Sequence, residues 1–145
     1  MTIICWDGHT LAGDKRNNIG TGHLTTTKVK RIGDVLLGCA GSTGKIWEFQ
    51  DWVARGRKPE DCPIFQRDEK EFVEALLIDA QGRCWGYAET PYPFLIENKF
   101  WAIGSGREFA MGAMFCGKTA REAVEVACAL DTSCGNGIDT LTLGN

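Results

Sequence analysis

The sequence predicts an α+β fold in which sheets and helices occupy separate layers. Two observations carry this. Strand-like and helix-like runs come in blocks, in the order strands, helix, strands, two helices, strand, and segregated blocks favour a layered sandwich over alternating βαβ units. The run Val35-Leu36-Leu37-Gly38-Cys39-Ala40 is apolar at successive positions, so it reads as a central strand covered on both faces. With 145 residues the chain can bury a core without staples, and residues 1–145 are read as one domain.

Each element has its own signal. Thr2 to Trp6 is β-rich and ends at Asp7-Gly8, a hairpin turn dipeptide; Thr10 to Gly13 returns. The polar stretch Asn17 to Gly22 reads as a loop. Thr25 to Ile32 and Asp34 to Ala40 form a strand pair with Gly33-Asp34 at the turn. Gly41-Ser42-Thr43-Gly44 opens a helix with Ile46, Phe49 and Val53 on one face, and Gly56 is its C-terminal cap. Residues 57–71 are polar, hold Pro59 and Pro63, and read as a connector. Ala75 to Asp79 and Arg83 to Tyr87 are strands around the turn Gln81-Gly82, and Trp101 to Ile103 is a further short strand. A helix from Arg107 to Cys116 stops at Gly117. The next begins with a capping box, Thr119 with Glu122, and turns Ala123, Val124, Ala127 and Leu130 inward. Ile138 to Leu143 closes the chain as a strand.

Composition excludes several function classes. Hydrophobic residues make up 43% and charged residues 24%, the balance of a soluble globular domain. The net charge is −3 and no basic stripe appears, which argues against nucleic acid; the Lys28-Val29-Lys30-Arg31 cluster sits at the start of a strand. Seven cysteines without a Cys-x-x-Cys pair, and no secretory signal, suit a reduced, cytoplasmic protein. No apolar run is long enough to span a membrane. His9 and His23 are the two histidines, and the cysteines lack ligand spacing, so no metal and no cofactor are expected.

Two glycine-rich segments are decoys. Gly41-Ser42-Thr43-Gly44-Lys45 lacks the Walker spacing and has Ile46 where a Ser or Thr belongs. Gly104-Ser105-Gly106 has Phe109 where a dinucleotide fingerprint needs its third glycine.

A third pattern is spread along the chain. Thr2 follows Met1 directly, so methionine removal would expose it. Leu11-Ala12-Gly13-Asp14-Lys15-Arg16, Lys28-Val29-Lys30-Arg31-Ile32 and Cys39-Ala40-Gly41-Ser42 follow; Ala102-Ile103-Gly104-Ser105-Gly106 and Asp131-Thr132-Ser133-Cys134-Gly135 come last. In this order the segments resemble the proteasome β-subunit and bacterial HslV family of N-terminal-nucleophile hydrolases, through nearly the whole chain. The resemblance implies a four-layer αββα sandwich. A second long helix, usual in the family between the positions of Gly56 and Ala75, has no counterpart here, so one helical layer is expected to be thin.

The resemblance also implies roles. Thr2 matches the nucleophilic threonine, Asp14 and Arg16 the Asp and Arg of Ala-x-Asp-x-Arg, and Lys28 the active-site lysine. Lys28 is preferred to Lys30 because Lys-Val-x-Arg-hydrophobic then lines up with HslV. Gly41 matches the glycine whose N–H faces the oxyanion, Ser105 the serine of Gly-Ser-Gly, and Asp131 the aspartate supporting the threonine amine. Cys134 stands where proteasomal members have serine, and a thiol is the poorer hydrogen-bond partner. Asn17, Thr26, Cys39 and Thr43 are expected to line the specificity pocket.

The chemistry needs these residue types. A threonine hydroxyl is a weak nucleophile that requires an adjacent base, and a free α-amine, with a reference pKa of about 7.7–8.0, can supply one. A lysine beside the hydroxyl would stabilise its developing charge. The hairpin before Asp14 is about four residues shorter than the family's. Equal loss from both strands would keep every side chain on its face, whereas unequal loss would move Thr2 from Lys28. Taken without the resemblance, Asp14 and Lys28 would be an ordinary surface ion pair worth about 0–1 kcal/mol.

The resemblance thus points to a threonine-type endopeptidase of compact, phage-like size. It would act on peptides or unfolded proteins inside a homo-oligomeric ring, with an AAA+ unfoldase for folded substrates. Two alternatives stand beside it: a catalytically silent assembly or binding module, favoured by the short hairpin and Cys134, and an amidase for small amides.

Overall fold

A computed structural model describes residues 2–66, 68 and 70–144; Met1, whose removal the reading above requires, lies outside the described residues. The first strands are β1 (Ile3–Trp6), β2 (Thr10–Asp14), β3 (Arg16–Ile19), β4 (Gly22–Thr25), β5 (Val29–Ile32) and β6 (Val35–Gly41). Helix α1 (Thr43–Ala54) follows, then β7 (Val73–Ile78), β8 (Cys84–Tyr87), β9 (Phe94–Ile96) and β10 (Trp101–Gly104). Helices α2 (Arg107–Phe115) and α3 (Ala120–Leu130) and strand β11 (Ile138–Thr142) complete the chain.

Two antiparallel sheets dominate. One has the order β10-β1-β2-β11 and the other β5-β6-β7-β8-β9. Strand alternation sorts their side chains into three cores. Ile3, Cys5, Ala12 and Ala102 face Ala110, Met114, Ala123, Val124 and Ala127 of α2 and α3. Ile4, Trp6 and Leu11 meet Val29, Leu36, Leu76 and Ile78 between the sheets. Val35, Leu37, Cys39, Ala75 and Leu77 face Phe49, Trp52 and Val53 of α1. The result is the four-layer αββα sandwich, with α1 as the α-helix of its outer layer among the described residues. Thinning is offset by the connector. Its 3₁₀ turn at Pro59–Asp61 leads to Phe65, which packs with Phe49, Trp52 and Tyr87 in one aromatic cluster.

The sheets approach closely where glycine leaves room. A Cβ on Gly38 would lie 2.5 Å from Ile4 Cγ2. The capping box of α3 forms as the sequence indicates, with Glu122 N–H on Thr119 Oγ1 (3.2 Å) and Thr119 N–H on Glu122 Oε1 (3.0 Å). No helix among the described residues is long and apolar enough to cross a membrane.

Several expectations are corrected. The stretch 17–22 is not a loop but most of a hairpin, β3 with β4, turning at Gly20 with φ 59°. Its strands are polar and largely exposed, so backbone pairing holds them and no apolar alternation marks them. The strand expected from Thr25 to Ile32 is interrupted at residues 26–28. Edge strand β9 was not anticipated; it is three residues long, and the Phe94 ring covers Gly86 on β8. Leu130, expected in the core, is 61% exposed because it is the last residue of α3, past the buried face.

Gly104 ends β10 with φ +104°, and a Cβ there would lie 2.1 Å from the Thr2 carbonyl oxygen. Gly104→Ala combines left-handed backbone strain with that clash. It is expected to lower the unfolding free energy by about 3 kcal/mol, read as a reduced urea midpoint; an unchanged midpoint would show that the β10 end adapts freely.

Candidate active site

The site lies at one end of the sandwich, where strand ends from both sheets meet. Thr2 leads into β1, Asp14 ends β2, Lys28 directly precedes β5, Gly41 ends β6 and Ser105 follows β10. The interruption at residues 26–28 ends the β3–β4 hairpin and delivers Lys28 to the space between the sheets.

Lys28 joins the parts. Its Nζ donates to Thr2 Oγ1 (3.2 Å) and Asp14 Oδ1 (2.9 Å), and also to the Arg16 carbonyl. Asp14 is 0% exposed and Lys28 4%, so this is a buried pair and not the surface bridge that sequence alone allows. A buried charge survives only when fully hydrogen-bonded. Asp14 Oδ1 also accepts Ile3 N–H (3.1 Å), while Oδ2 accepts Gly135 N–H (3.0 Å) and Arg16 N–H (3.3 Å). Arg16 clamps the loop that supplies Gly135, through Nε to Asn136 Oδ1 (3.0 Å) and Nη1 to the Thr132 carbonyl (2.8 Å).

A second wire runs from the nitrogen of Thr2. Its N–H donates to Ser105 Oγ (3.3 Å), and Ser105 Oγ donates to Asp131 Oδ2 (3.0 Å). Cys134 Sγ reaches the same carboxylate oxygen at 3.4 Å. Asp131 is held below the usual carboxylate range, chiefly by the Ser133 backbone N–H (2.9 Å), with help from Ser105 and Cys134. The Cys134 thiol is pushed up to about 12 by burial and by the nearby charges of Asp14 and Asp131. It is therefore a neutral donor to the Asp131 carboxylate.

Gly41 presents its N–H to the same space. Ser42 N–H bonds across to the Phe72 carbonyl and Cys39 N–H to the Lys28 carbonyl. Alternation along an antiparallel strand then directs the Gly41 N–H away from β7, past the start of β5, where Thr2 and Gly41 line common cavities. Of the expected pocket residues, Asn17, Thr26 and Thr43 line the cavity on the Lys28 side together with Ile46 and Trp47, and Asn17 Nδ2 donates to Thr43 Oγ1. Cys39 does not line it: wholly buried, it points beneath α1 into the outer core, because its place in β6 faces that layer.

Three participants were not named from the sequence. Gly135 and Asn136 hold Asp14 and Arg16, and the quoted segment ending at Gly135 was the available sign. Glu74 lines a second cavity beside Thr2; a lone carboxylate in the apolar strand Val73–Ile78 was its signal. Burial raises the Glu74 pKa, against the lowering effects of the Gly104 N–H and Arg107. Among the described residues no group of three or more His, Cys, Asp or Glu could hold a metal ion.

The fold is shared with known proteins. No protein-family profile matches the chain. The chain is 28% identical over 173 aligned positions, covering 97% of itself and 85% of the relative, to proteasome subunit beta 1 of Thermococcus onnurineus. Among solved structures it is similar to Thiobacillus denitrificans BPH in complex with epoxomicin, at TM-score 0.70, 19% identity and coverage of 97% and 96% of the two chains. It is also similar to HslV of Trypanosoma brucei, at TM-score 0.65, 22% identity and 97% coverage of each.

The protonation of Cys134 can be checked directly. At pH 8 iodoacetamide is expected to alkylate exposed Cys116 while sparing Cys134 in the native protein, as read by peptide mass spectrometry. Equal modification of both would contradict a buried, neutral thiol.

Proposed function

We propose that this chain, whose fold and sequence are of the proteasome β-subunit and HslV type, is a threonine-type endopeptidase whose nucleophile is Thr2 once Met1 is removed. The observation that carries the reading is the 3.2 Å contact of the Lys28 ammonium with Thr2 Oγ1. A buried cation, itself fixed by Asp14, stabilises negative charge at that oxygen and nowhere else along β1.

In this reading the α-amine of Thr2 takes the hydroxyl proton as Oγ1 bonds to the scissile carbonyl carbon. The new oxyanion meets the Gly41 N–H. Collapse breaks the C–N bond, and the leaving nitrogen takes the proton held on the amine. Water, activated by the same amine, then hydrolyses the ester and restores Thr2. Ser105 orients the amine and Asp131 orients Ser105. Arg16 acts at one remove, by holding the loop that carries Gly135 and Asp131.

By family resemblance the protein would work in the cytoplasm, in a homo-oligomeric ring whose chamber admits peptides and unfolded chains. An AAA+ unfoldase would supply folded substrates. Support for the ring comes from the relatives named as a proteasome subunit and as HslV.

Epoxomicin, bound in the Thiobacillus relative, is expected to add covalently to wild type, with the intact mass showing Met1 absent, and to leave Thr2→Ala unmodified. Labelling that persists in Thr2→Ala would refute the assignment.

The pH profile follows from the base. An amine near its reference pKa of about 7.7–8.0 must be unprotonated to act. The value of kcat/KM is therefore expected to rise roughly tenfold per pH unit up to about 8 and then level off. Asp131, held low, adds no ionisation above the usual carboxylate range. A rate independent of pH from 6 to 9 would argue against the amine as base.

A further inference from the structure

Two cavities flank Thr2, and they are unequal. The one on the Lys28 side, walled by Thr26, Thr43, Ile46 and Trp47, holds about 30 Å³. The one on the Ser105 side, walled by Ala40, Phe72, Glu74 and Gly104, holds about 540 Å³. Their chemistry follows from the position of the Thr2 nitrogen, 3.3 Å from Ser105 Oγ. In the peptidase reading, on which this inference rests, the leaving segment departs with the proton carried by that nitrogen. The Ser105 side therefore receives the leaving segment, and the narrow Lys28 side receives the acyl segment.

The larger cavity is built for an amphipathic side chain. Ala40 and Phe72 supply an apolar wall, and Phe72 is partly exposed along it. Glu74 is the only carboxylate among the described residues that line the cavity. It pairs with Ala40 across the β6–β7 ladder, so both side chains turn toward the gap between the sheets. Glu74 and Thr2 line the same cavity.

We propose that Glu74 makes this protein select peptides with a lysine or arginine immediately after the cleaved bond. The aliphatic stem of such a residue would lie along Phe72 and Ala40 while its cation meets the carboxylate. Among the described residues no cation forms an ion pair with Glu74. Arg107 acts on it only through space; its Nε donates to the Ala102 carbonyl (3.1 Å) and its guanidinium lies 4.6 Å from the Trp101 ring centre. Lys70 lines the same cavity but is exposed, so water screens it. The upward pKa shift of Glu74 by burial is what a half-buried carboxylate without a bonded cation shows. An arriving ammonium or guanidinium would supply the missing partner.

The test uses the full, assembled protein and three quenched peptides that differ only in the residue after the cleaved bond: Lys, Leu or Glu. Mass spectrometry of the products verifies the bond cut. Wild type is expected to favour Lys over Leu by about tenfold or more in kcat/KM. E74Q, which keeps the size of the side chain and removes its charge, should erase that preference, and E74K should turn it toward Glu. Equal rates for Lys and Leu in wild type, or a Lys preference that survives in E74Q, would overturn the proposal. Epoxomicin labelling runs in parallel as an independent readout of Thr2. Labelling with a flat preference defeats this inference alone, whereas an unlabelled wild type defeats the peptidase reading and this inference with it.

Discussion

The structure depends on one buried carboxylate. Asp14 has no contact with solvent, and desolvating its charge costs several kcal/mol unless every lone pair is used. Its donors come from four places: Ile3 on β1, Lys28 ahead of β5, Arg16 on β3 and Gly135 in the loop before β11. None of these segments can move without leaving the charge short of a partner. The same bonds therefore complete the inner fold and set the start of the chain beside Lys28. Stability and site geometry are here one constraint, because the atom that neutralises Asp14 is also the atom that touches Thr2 Oγ1.

The short first hairpin shows why that constraint can be met with few residues. Ile4 opposes Gly13 and Trp6 opposes Leu11 in the hairpin of β1 and β2. Asp7 pins that turn: Oδ1 accepts His9 N–H (2.9 Å) and Thr10 N–H (2.7 Å), and Oδ2 accepts Ala120 N–H (2.8 Å) at the start of α3. With the register fixed, Ile4 and Trp6 point between the sheets, and Thr2, two residues before Ile4, shares their face. A slip by one residue would turn its hydroxyl toward the helices. The fixed register is what keeps the contact with Lys28.

Most of the layering was legible in the sequence because burial writes itself as periodicity. The two-sided apolar run of β6 and the capping box of α3 each have one stable reading, and both form. Polar pairing writes no such pattern. The β3–β4 hairpin is held by backbone bonds with little burial, so its residues resemble a loop. At the site, the quoted segments led to Thr2, Asp14, Lys28, Ser105 and Asp131, which the fold brings together. Cys39 was misplaced because spacing along β6 does not reveal which sheet face lines a cavity. Glu74 escaped notice because the groups that act on its carboxylate, Gly104 and Arg107, lie on β10 and α2, distant in sequence, and only the packing of the two sheets brings them near.

The thin outer layer raises the question of what keeps the β6 side of the site rigid. In the proposed mechanism Gly41 holds its N–H in place, and a strand stays in place when both faces are packed. One face of β6 rests on the opposite sheet through Leu36 and Ala40. The other rests on α1 and the aromatic cluster, in which Phe49, Trp52, Phe65 and Tyr87 meet at ring-centre distances of 5.3 to 6.4 Å. Edge-on aromatic pairs each add about 0.5–1.5 kcal/mol beyond the area they bury. Trp52 Nε1 also donates to the Lys58 carbonyl (2.9 Å), fastening the connector to the helix it follows. Large rings supplied by one helix, one strand and one connector thus cover the outer face of the sheet. The strand that ends at Gly41 is buried on both faces as a result, and a compact chain can keep a fixed backbone donor beside Thr2.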